Sequence, residues 1–187
     1  MSFPGIPSLD AAVMAFIQTH FHNTVTDTVF PVITSLGEAG IGWIVLSLVL
    51  LCFKKTRRTG GLVLIAMTVT LLFGELTLKN IICRLRPCNM FTDFPMLIAR
   101  PTSYSFPSGH TSSSFAAALI LTLRHKKVGW LAYIPAVLIA FSRIFLFVHY
   151  PTDVLAGILL GTLAALLTYF AAKAIQKRQA EKRTAQI

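Results

Sequence analysis

Acidic residues are scarce in this 187-residue chain: seven Asp and Glu stand against 17 Lys and Arg, and charged residues make up only 13% of the total. With 55% hydrophobic residues, the chain holds too much apolar material for an intrinsically disordered segment and more than the roughly 45–50% of a soluble domain. The net charge of +10 would suit a nucleic-acid partner if the basic residues formed one patch or tract. They fall instead in short groups between long apolar runs, which points to a membrane and away from nucleic acid. Cysteine is equally sparse. Three residues cannot make a disulfide scaffold, and Cys83 with Cys88 offers too few ligands for a zinc site. Those two leave open a single disulfide in an oxidising exterior, while Cys52 reads as packing. No Lys or Arg occurs in the first twenty residues, so the basic start of a cleavable signal peptide is missing. Internal repeats, a dinucleotide-binding glycine pattern and a phosphate-binding loop ending in Lys-Ser/Thr are missing too.

What the chain does have is apolar runs. They cover residues 41–53, 62–78, 113–123, 128–148 and 154–172. A helix needs about 20 apolar residues to cross hydrocarbon, and it satisfies its own backbone there. The second, fourth and fifth runs approach that length. The first must recruit part of residues 29–40, where Pro31, Gly37, Glu38 and Gly40 predict a break. The third needs His110, Thr111 and Ser112 at its start, which directs that end toward other helices or a cavity. The expected architecture is an all-α, polytopic transmembrane helix bundle of five spans, with a six-span variant open, in one domain covering 1–187. Ser8 or Asp10 is expected to cap a short amphipathic helix whose Ala11, Val13, Met14 and Ile17 lie at the membrane interface.

Basic residues orient such a bundle. Lys54, Lys55, Arg57 and Arg58 form one group, Arg124, Lys126 and Lys127 a second, and Lys173, Lys177, Arg178, Lys182 and Arg183 a third. In a five-span chain these twelve share one face, the cytoplasmic one. Lys79, Arg84, Arg86, Arg100 and Arg143 are left at the opposite face, where the rule disfavours them. An anionic ligand is an adequate reason for their presence. Asp93 and Arg100 fall in a loop suited to headgroup contact or to plain solvent exposure.

Three polar clusters reach that outer face. In the first, Lys79 and Arg86 are seven residues apart, so on a continuous helix they share a face and can hold different oxygens of one phosphate. Arg84 then points elsewhere, toward a second phosphate, Glu75 or a headgroup. The second runs Ser105-Phe106-Pro107-Ser108-Gly109-His110, with Gly109 permitting close backbone approach and the first amides of the next helix offering an oxyanion seat. In the third, Ser142 and Arg143 precede His149, and Asp153 follows it by four residues. Pro151 suits the start of the next helix, so Asp153 can accept from one ring nitrogen of His149 and leave the other free as a nucleophile. Taken singly, each cluster also fits a plainer role: a snorkelling cation, a Ser-rich cap, a satisfied histidine. Together they supply two imidazoles, a carboxylate and at least three cations, which is the equipment for phosphoryl transfer.

Lys79 with Arg86-Pro87, then Pro107-Ser108-Gly109-His110, then Ser142-Arg143 with His149 and Asp153, resemble in order and spacing the three motifs of the type 2 phosphatidic acid phosphatase superfamily. The motifs lie within 79–153, and the hydrophobic plan extends the resemblance over most of the chain. The resemblance implies a lipid phosphatase without cofactor or metal. In it His149 is the nucleophile that becomes phosphohistidine, Asp153 orients it, and His110 protonates the leaving oxygen and later activates water. Lys79, Arg86, Arg143, the Ser108 hydroxyl and the Gly109 amide are then phosphate ligands, with Arg84 and Ser142 as secondary candidates. The implied substrate is a membrane lipid phosphate, foremost undecaprenyl diphosphate handled at the outer face of a bacterial cytoplasmic membrane. Phosphatidylglycerophosphate or phosphatidic acid is the alternative. No obligate protein partner is implied. A non-catalytic transport or binding module is the reading from another class, and it fits poorly because the apolar runs carry their charges only near their ends.

Overall fold

A computed structural model describes residues 3–184, and every regular element among them is helical. Helix α1 covers Ser8–His20 and α2 Thr24–Leu36. Asn23 caps α2 by accepting from the amides of Val25 and Thr26, and Thr26 returns the bond in a capping box. The expected break follows. A single 3₁₀ turn, Glu38–Gly40, has Ala39 and Gly40 at positive φ and bends the chain by 45° into α3, Ile41–Cys52. Helix α4, Arg57–Thr70, runs on through a π-helical stretch, Leu71–Leu78, into the short α5, Lys79–Ile82. Then come α6, Pro87–Met90, α7, Gly109–Arg124, a 3₁₀ turn at Gly129–Ala132, α8, Tyr133–Phe145, and α9, Pro151–Thr184.

Two helical runs, Arg57–Met90 and Pro151–Thr184, are long and apolar enough to cross a membrane, and the bent pair α2–α3 makes a third if it acts as one span. The run at 128–148 behaves differently from its sequence pattern. Its helix stops at Phe145, and Leu146, Phe147 and Val148 form a loop with Phe147 in the left-handed region. That loop is apolar because protein covers it: Phe147 stacks on Phe94 at 3.9 Å between centroids and also meets Phe3.

Helix α7 lies at the centre, against α4, α8 and α9. Its packing on α9 depends on two small residues one turn apart. A Cβ at Gly157 would sit 2.7 Å from the Ser108 carbonyl, and one at Gly161 would strike the Ser112 carbonyl. Both obstacles are backbone, so neither can swing aside, and the small pair allows the close helix approach that membrane bundles favour. Away from α7, α9 turns Leu155, Leu159, Leu163 and Leu167 outward as an exposed apolar stripe at four-residue spacing, suited to lipid. On the α3 side, Trp43 packs with Val63, Ala66, Ala117 and Ile120, and its indole donates to Ser114 Oγ at 2.9 Å.

The amino-terminal helix is more deeply engaged than an interfacial helix need be. Met14 and Ile17 are buried against the 144–150 segment, and Gln18 donates to the carbonyl of Phe145 at 3.0 Å. Neither Ser8 nor Asp10 caps α1; Pro7 holds the cap position without a side-chain bond, and Asp10 turns inward. The Thr59 hydroxyl meets His125 Nε2 at 3.0 Å, tying the start of α4 to the end of α7. The first and second basic groups therefore share one end of the bundle, and the three polar clusters meet at the other.

Candidate active site

Lys79 and Arg86 do reach one cavity, but not along a shared helical face. The helix ends at Ile82, Cys83 takes φ 51°, and Arg86 follows in extended backbone ahead of α6. Left-handed backbone costs a residue with a side chain, so this sharp exit is held by its surroundings. The turn brings the guanidinium of Arg86 inward. Its Nε donates to the Ser103 carbonyl at 2.7 Å, and Nη1 to the Val148 carbonyl at 2.8 Å and to His149 Nε2 at 2.9 Å.

His149 leaves the 146–150 loop pointing at that guanidinium. The Arg143 carbonyl accepts from the amides of both Val148 and His149 at 3.2 Å, which fixes the loop to the end of α8. Pro151 opens α9 and sets Asp153 in its first turn, where an acidic side chain suits the helix dipole. Asp153 Oδ2 lies 3.4 Å from His149 Nδ1, accepts from the Tyr150 amide at 3.0 Å and takes a short bond from the Ser105 hydroxyl. Since Arg86 donates to Nε2, that nitrogen carries a lone pair, and the proton of the neutral ring belongs on Nδ1 toward Asp153. Burial first, then the positive charge of Arg86, Arg143 and Lys79, holds the His149 pKa well below the usual imidazole range. A neutral, nucleophilic ring at neutral pH follows.

A cavity of about 520 Å³ gathers His149, His110, Lys79, Arg86, Arg143, Glu75, Glu38 and Gly109 on its walls. The three cations are 3–5% exposed. Arg143 donates to the Thr34 hydroxyl at 2.5 Å, while its Nε and His110 Nε2 are buried without a hydrogen bond. Buried donors left unpaired cost about 1–3 kcal/mol each, so such groups are suited to a polar ligand. His110 stands in the first turn of α7, where no side chain caps the helix, and Glu38 Oε2 approaches its Nε2 to 3.5 Å. Among the described residues, no cluster of three or more His, Cys, Asp or Glu side chains could hold a metal ion.

Several side chains read from the sequence as ligands stand elsewhere. Arg84 is not turned to the cavity; it bridges two fully buried carboxylates, with Nη2 on Asp10 and Nη1 on Asp153, both at 2.7 Å, and lies over the Tyr150 ring. Ser142 donates back to the Ile139 carbonyl at 2.6 Å. The Ser108 hydroxyl accepts from Thr111 at 2.9 Å, and its amide donates to the Asp153 carbonyl at 3.1 Å. Arg100 spends its guanidinium on the carbonyls of Cys88, Thr92 and Phe94, closing its own loop instead of facing a headgroup. Cys83 is exposed, Cys88 is buried, and both are free thiols. In the other direction, Asp10 and Ser105 had drawn no site role from the sequence. Asp10 also accepts from the amide and hydroxyl of Thr152 at 2.9 and 2.7 Å, so α1 joins the scaffold behind His149.

The model for the PAP2 superfamily matches residues 59–177. An undecaprenyl-diphosphatase of Sulfolobus acidocaldarius is 39% identical over 127 residues, a match covering 67% of this chain and 61% of that protein, under two thirds of its length. A decaprenylphosphoryl-5-phosphoribose phosphatase of Mycobacterium tuberculosis is 35% identical over 135 residues, 69% of this chain and 71% of that one. The crystal structure of a transmembrane PAP2 type phosphatidylglycerolphosphate phosphatase from Bacillus subtilis superimposes with a TM-score of 0.73 at 29% identity, over 92% of this chain and 89% of that one.

Proposed function

The chain belongs to the PAP2 superfamily as a membrane lipid phosphatase, and on that premise we propose that it hydrolyses a polyprenyl diphosphate, foremost undecaprenyl diphosphate, to the monophosphate and inorganic phosphate. The observation that carries the reading is His149: its Nε2 faces the cation-lined cavity beside Arg86, its Nδ1 faces Asp153, and His110 stands on the same wall. His149 Nε2 attacks the terminal phosphorus. The bond from phosphorus to the bridging oxygen breaks, and protonated His110 gives that oxygen its proton. Neutral His110 then takes a proton from water, whose oxygen attacks the phosphohistidine; the P–N bond breaks and phosphate leaves. Lys79, Arg86, Arg143 and the Gly109 amide stabilise the charge gathered on the transferred oxygens, and Asp153 holds the imidazole as positive charge grows on it. Ser108 and Ser142 support these residues through the backbone contacts they make. This assignment needs no metal, because the cations do the work that divalent ions do elsewhere.

Phosphate release by detergent-purified protein, with EDTA present, tests the reading. A long-chain prenyl diphosphate should turn over at least about tenfold faster, as kcat/KM, than its monophosphate, phosphatidylglycerophosphate or phosphatidic acid. The reading is supported by the 39% identical diphosphatase, whereas the Mycobacterium and Bacillus relatives carry names of monoester phosphatases. Preference for phosphatidylglycerophosphate would transfer the assignment to that second class. Loss of activity in EDTA, restored by magnesium, would overturn the metal-independent mechanism.

For topology we propose one domain and five spans, namely α2–α3 as a bent pair, α4–α6, α7, α8 and α9, with α1 docked at the outer end and the site facing out of a bacterial cytoplasmic membrane. Two native thiols report on this. Cys52 ends α3 at the basic end and Cys83 follows α5 at the site end, both exposed, while Cys88 is buried. A membrane-impermeant maleimide applied to intact cells should label the wild type and C52S but not C83S. The reverse pattern would invert the orientation.

A further inference from the structure

Glu75 has no part in the mechanism above, yet it occupies the middle of the site. It projects from the π-helical stretch Leu71–Leu78, a local register found often at functional positions. Both of its carboxylate oxygens accept from Lys79 Nζ, at 2.7 and 2.6 Å. Its Oε1 also fills the space that a Cβ on Gly109 would need, so the carboxylate rests directly against the first residue of α7. The other acidic residue on the cavity wall, Glu38, is 75% exposed and stands by His110. Glu75 therefore places an anionic, two-oxygen group between a buried ammonium and an uncapped helix amino terminus. Those are the same two features that would bind the oxygens of a phosphoryl group.

We propose that Glu75 is a resident substitute for the phosphoryl group: its carboxylate holds Lys79 and rests against Gly109 while the site is empty, yields that seat to an incoming phosphate, and returns to speed release of inorganic phosphate. The proposal rests on the hydrolytic reading and deepens it. Lys79 is only 5% exposed, and a buried ammonium without a partner is costly, so the site needs an anion in both states. Carboxylate and phosphate cannot both sit there, because like charges sharing one cation repel and the space over Gly109 admits one group. Displacement is favoured for a phosphate dianion, which can also reach Arg86 and Arg143. After hydrolysis the same competition works in reverse, and the product meets a tethered rival at high local concentration.

Binding of inorganic phosphate to full-length protein in detergent, read by titration calorimetry and by product inhibition, tests this. If the carboxylate fills the seat nine-tenths of the time, removing it should tighten phosphate binding about tenfold, since apparent affinity scales with the fraction of competent sites. E75Q should show that gain in both readouts, and E75D should stay near the wild type. E75A provides a second route: added acetate should weaken phosphate binding to E75A while leaving the wild type unmoved. Unchanged or weaker phosphate binding in E75Q, or indifference of E75A to acetate, would overturn the proposal and leave Glu75 as an orienting partner of Lys79. The calorimetry needs no turnover, so an inactive lipid assay would sink the hydrolytic reading separately.

Discussion

His149→Ala should lower kcat by about 10⁴-fold or more and abolish the acid-labile phosphoprotein that rapid quenching of the wild type traps. The size follows from how the site is built around one atom. Nε2 is the ring nitrogen that faces the cavity; Arg86, the Val148–His149 amides and Asp153 fix its direction, while burial and the charges of Arg86, Arg143 and Lys79 favour the neutral ring. On the cavity wall His149 is the imidazole with a fully buried carboxylate at its far nitrogen; the cations Lys79, Arg86 and Arg143 are donors only. The substitution leaves the fold in place, because Arg86 keeps the Val148 carbonyl and both bonds to Ser103. Binding of inorganic phosphate should accordingly persist in the variant. Retention of phosphoprotein, or turnover within tenfold of the wild type, would move the nucleophile elsewhere, and His110 would be the first place to look.

Which side chains meet at this cavity was more legible in the sequence than the scaffolding behind them, and the reasons differ residue by residue. His149 and Asp153 could be paired because a proline sets the register between them and they stand four positions apart. His110 could be placed because α7 starts where the polar cluster meets the apolar run. Lys79 and Arg86 were brought to one place by the right spacing for the wrong reason: periodicity cannot foresee Cys83 leaving the helix at positive φ. Arg84 was harder still. Its partner Asp10 lies 74 positions away and in the sequence looks like an ordinary helix-start residue, yet it is fully buried and joins Arg84 to Thr152. An ion pair of that separation leaves no local pattern. The apolar run at 128–148 misled in the opposite sense, because composition records burial without saying whether lipid or protein provides it.

The side chains behind the cavity give the site end of the bundle a second task. Asp10 and Asp153, both fully buried, are bridged by the half-buried Arg84 from α1 to the start of α9, so the amino-terminal helix braces the carboxylate behind His149. Breaking one member of such a buried set costs about 3–5 kcal/mol, because an uncompensated charge remains. Arg84 thereby holds Asp153 in place from the side away from the cavity. On the cavity side the division is equally clear. Lys79, Arg86 and Arg143 present positive charge, and Glu75 and Glu38 are set against the first of these and against His110.

His110→Ala should separate the two halves of the reaction that His149→Ala removes together. With a polyprenyl diphosphate the first half loses its proton donor, and general acid catalysis is worth about 10²–10⁴-fold. A substrate whose leaving oxygen needs no proton, such as p-nitrophenyl phosphate, should escape that loss and phosphorylate His149 at a rate close to that of the wild type. Hydrolysis of the phosphohistidine does not escape, since water then lacks its base. The variant should therefore accumulate phosphoprotein to near stoichiometry with p-nitrophenyl phosphate, releasing one equivalent of nitrophenol in a burst before slowing by about 10²-fold or more. The geometry supports a role in both halves. His110 Nε2 is buried and unpartnered on the wall that also carries Lys79 and His149, and Gly37 packs closely enough on the ring that a Cβ there would lie 2.8 Å from Cδ2, holding the imidazole in place. Steady nitrophenol release with neither burst nor accumulated phosphoprotein would show another residue activating water. Equal slowing with both leaving groups would show His110 acting on the fold of the site instead of on protons.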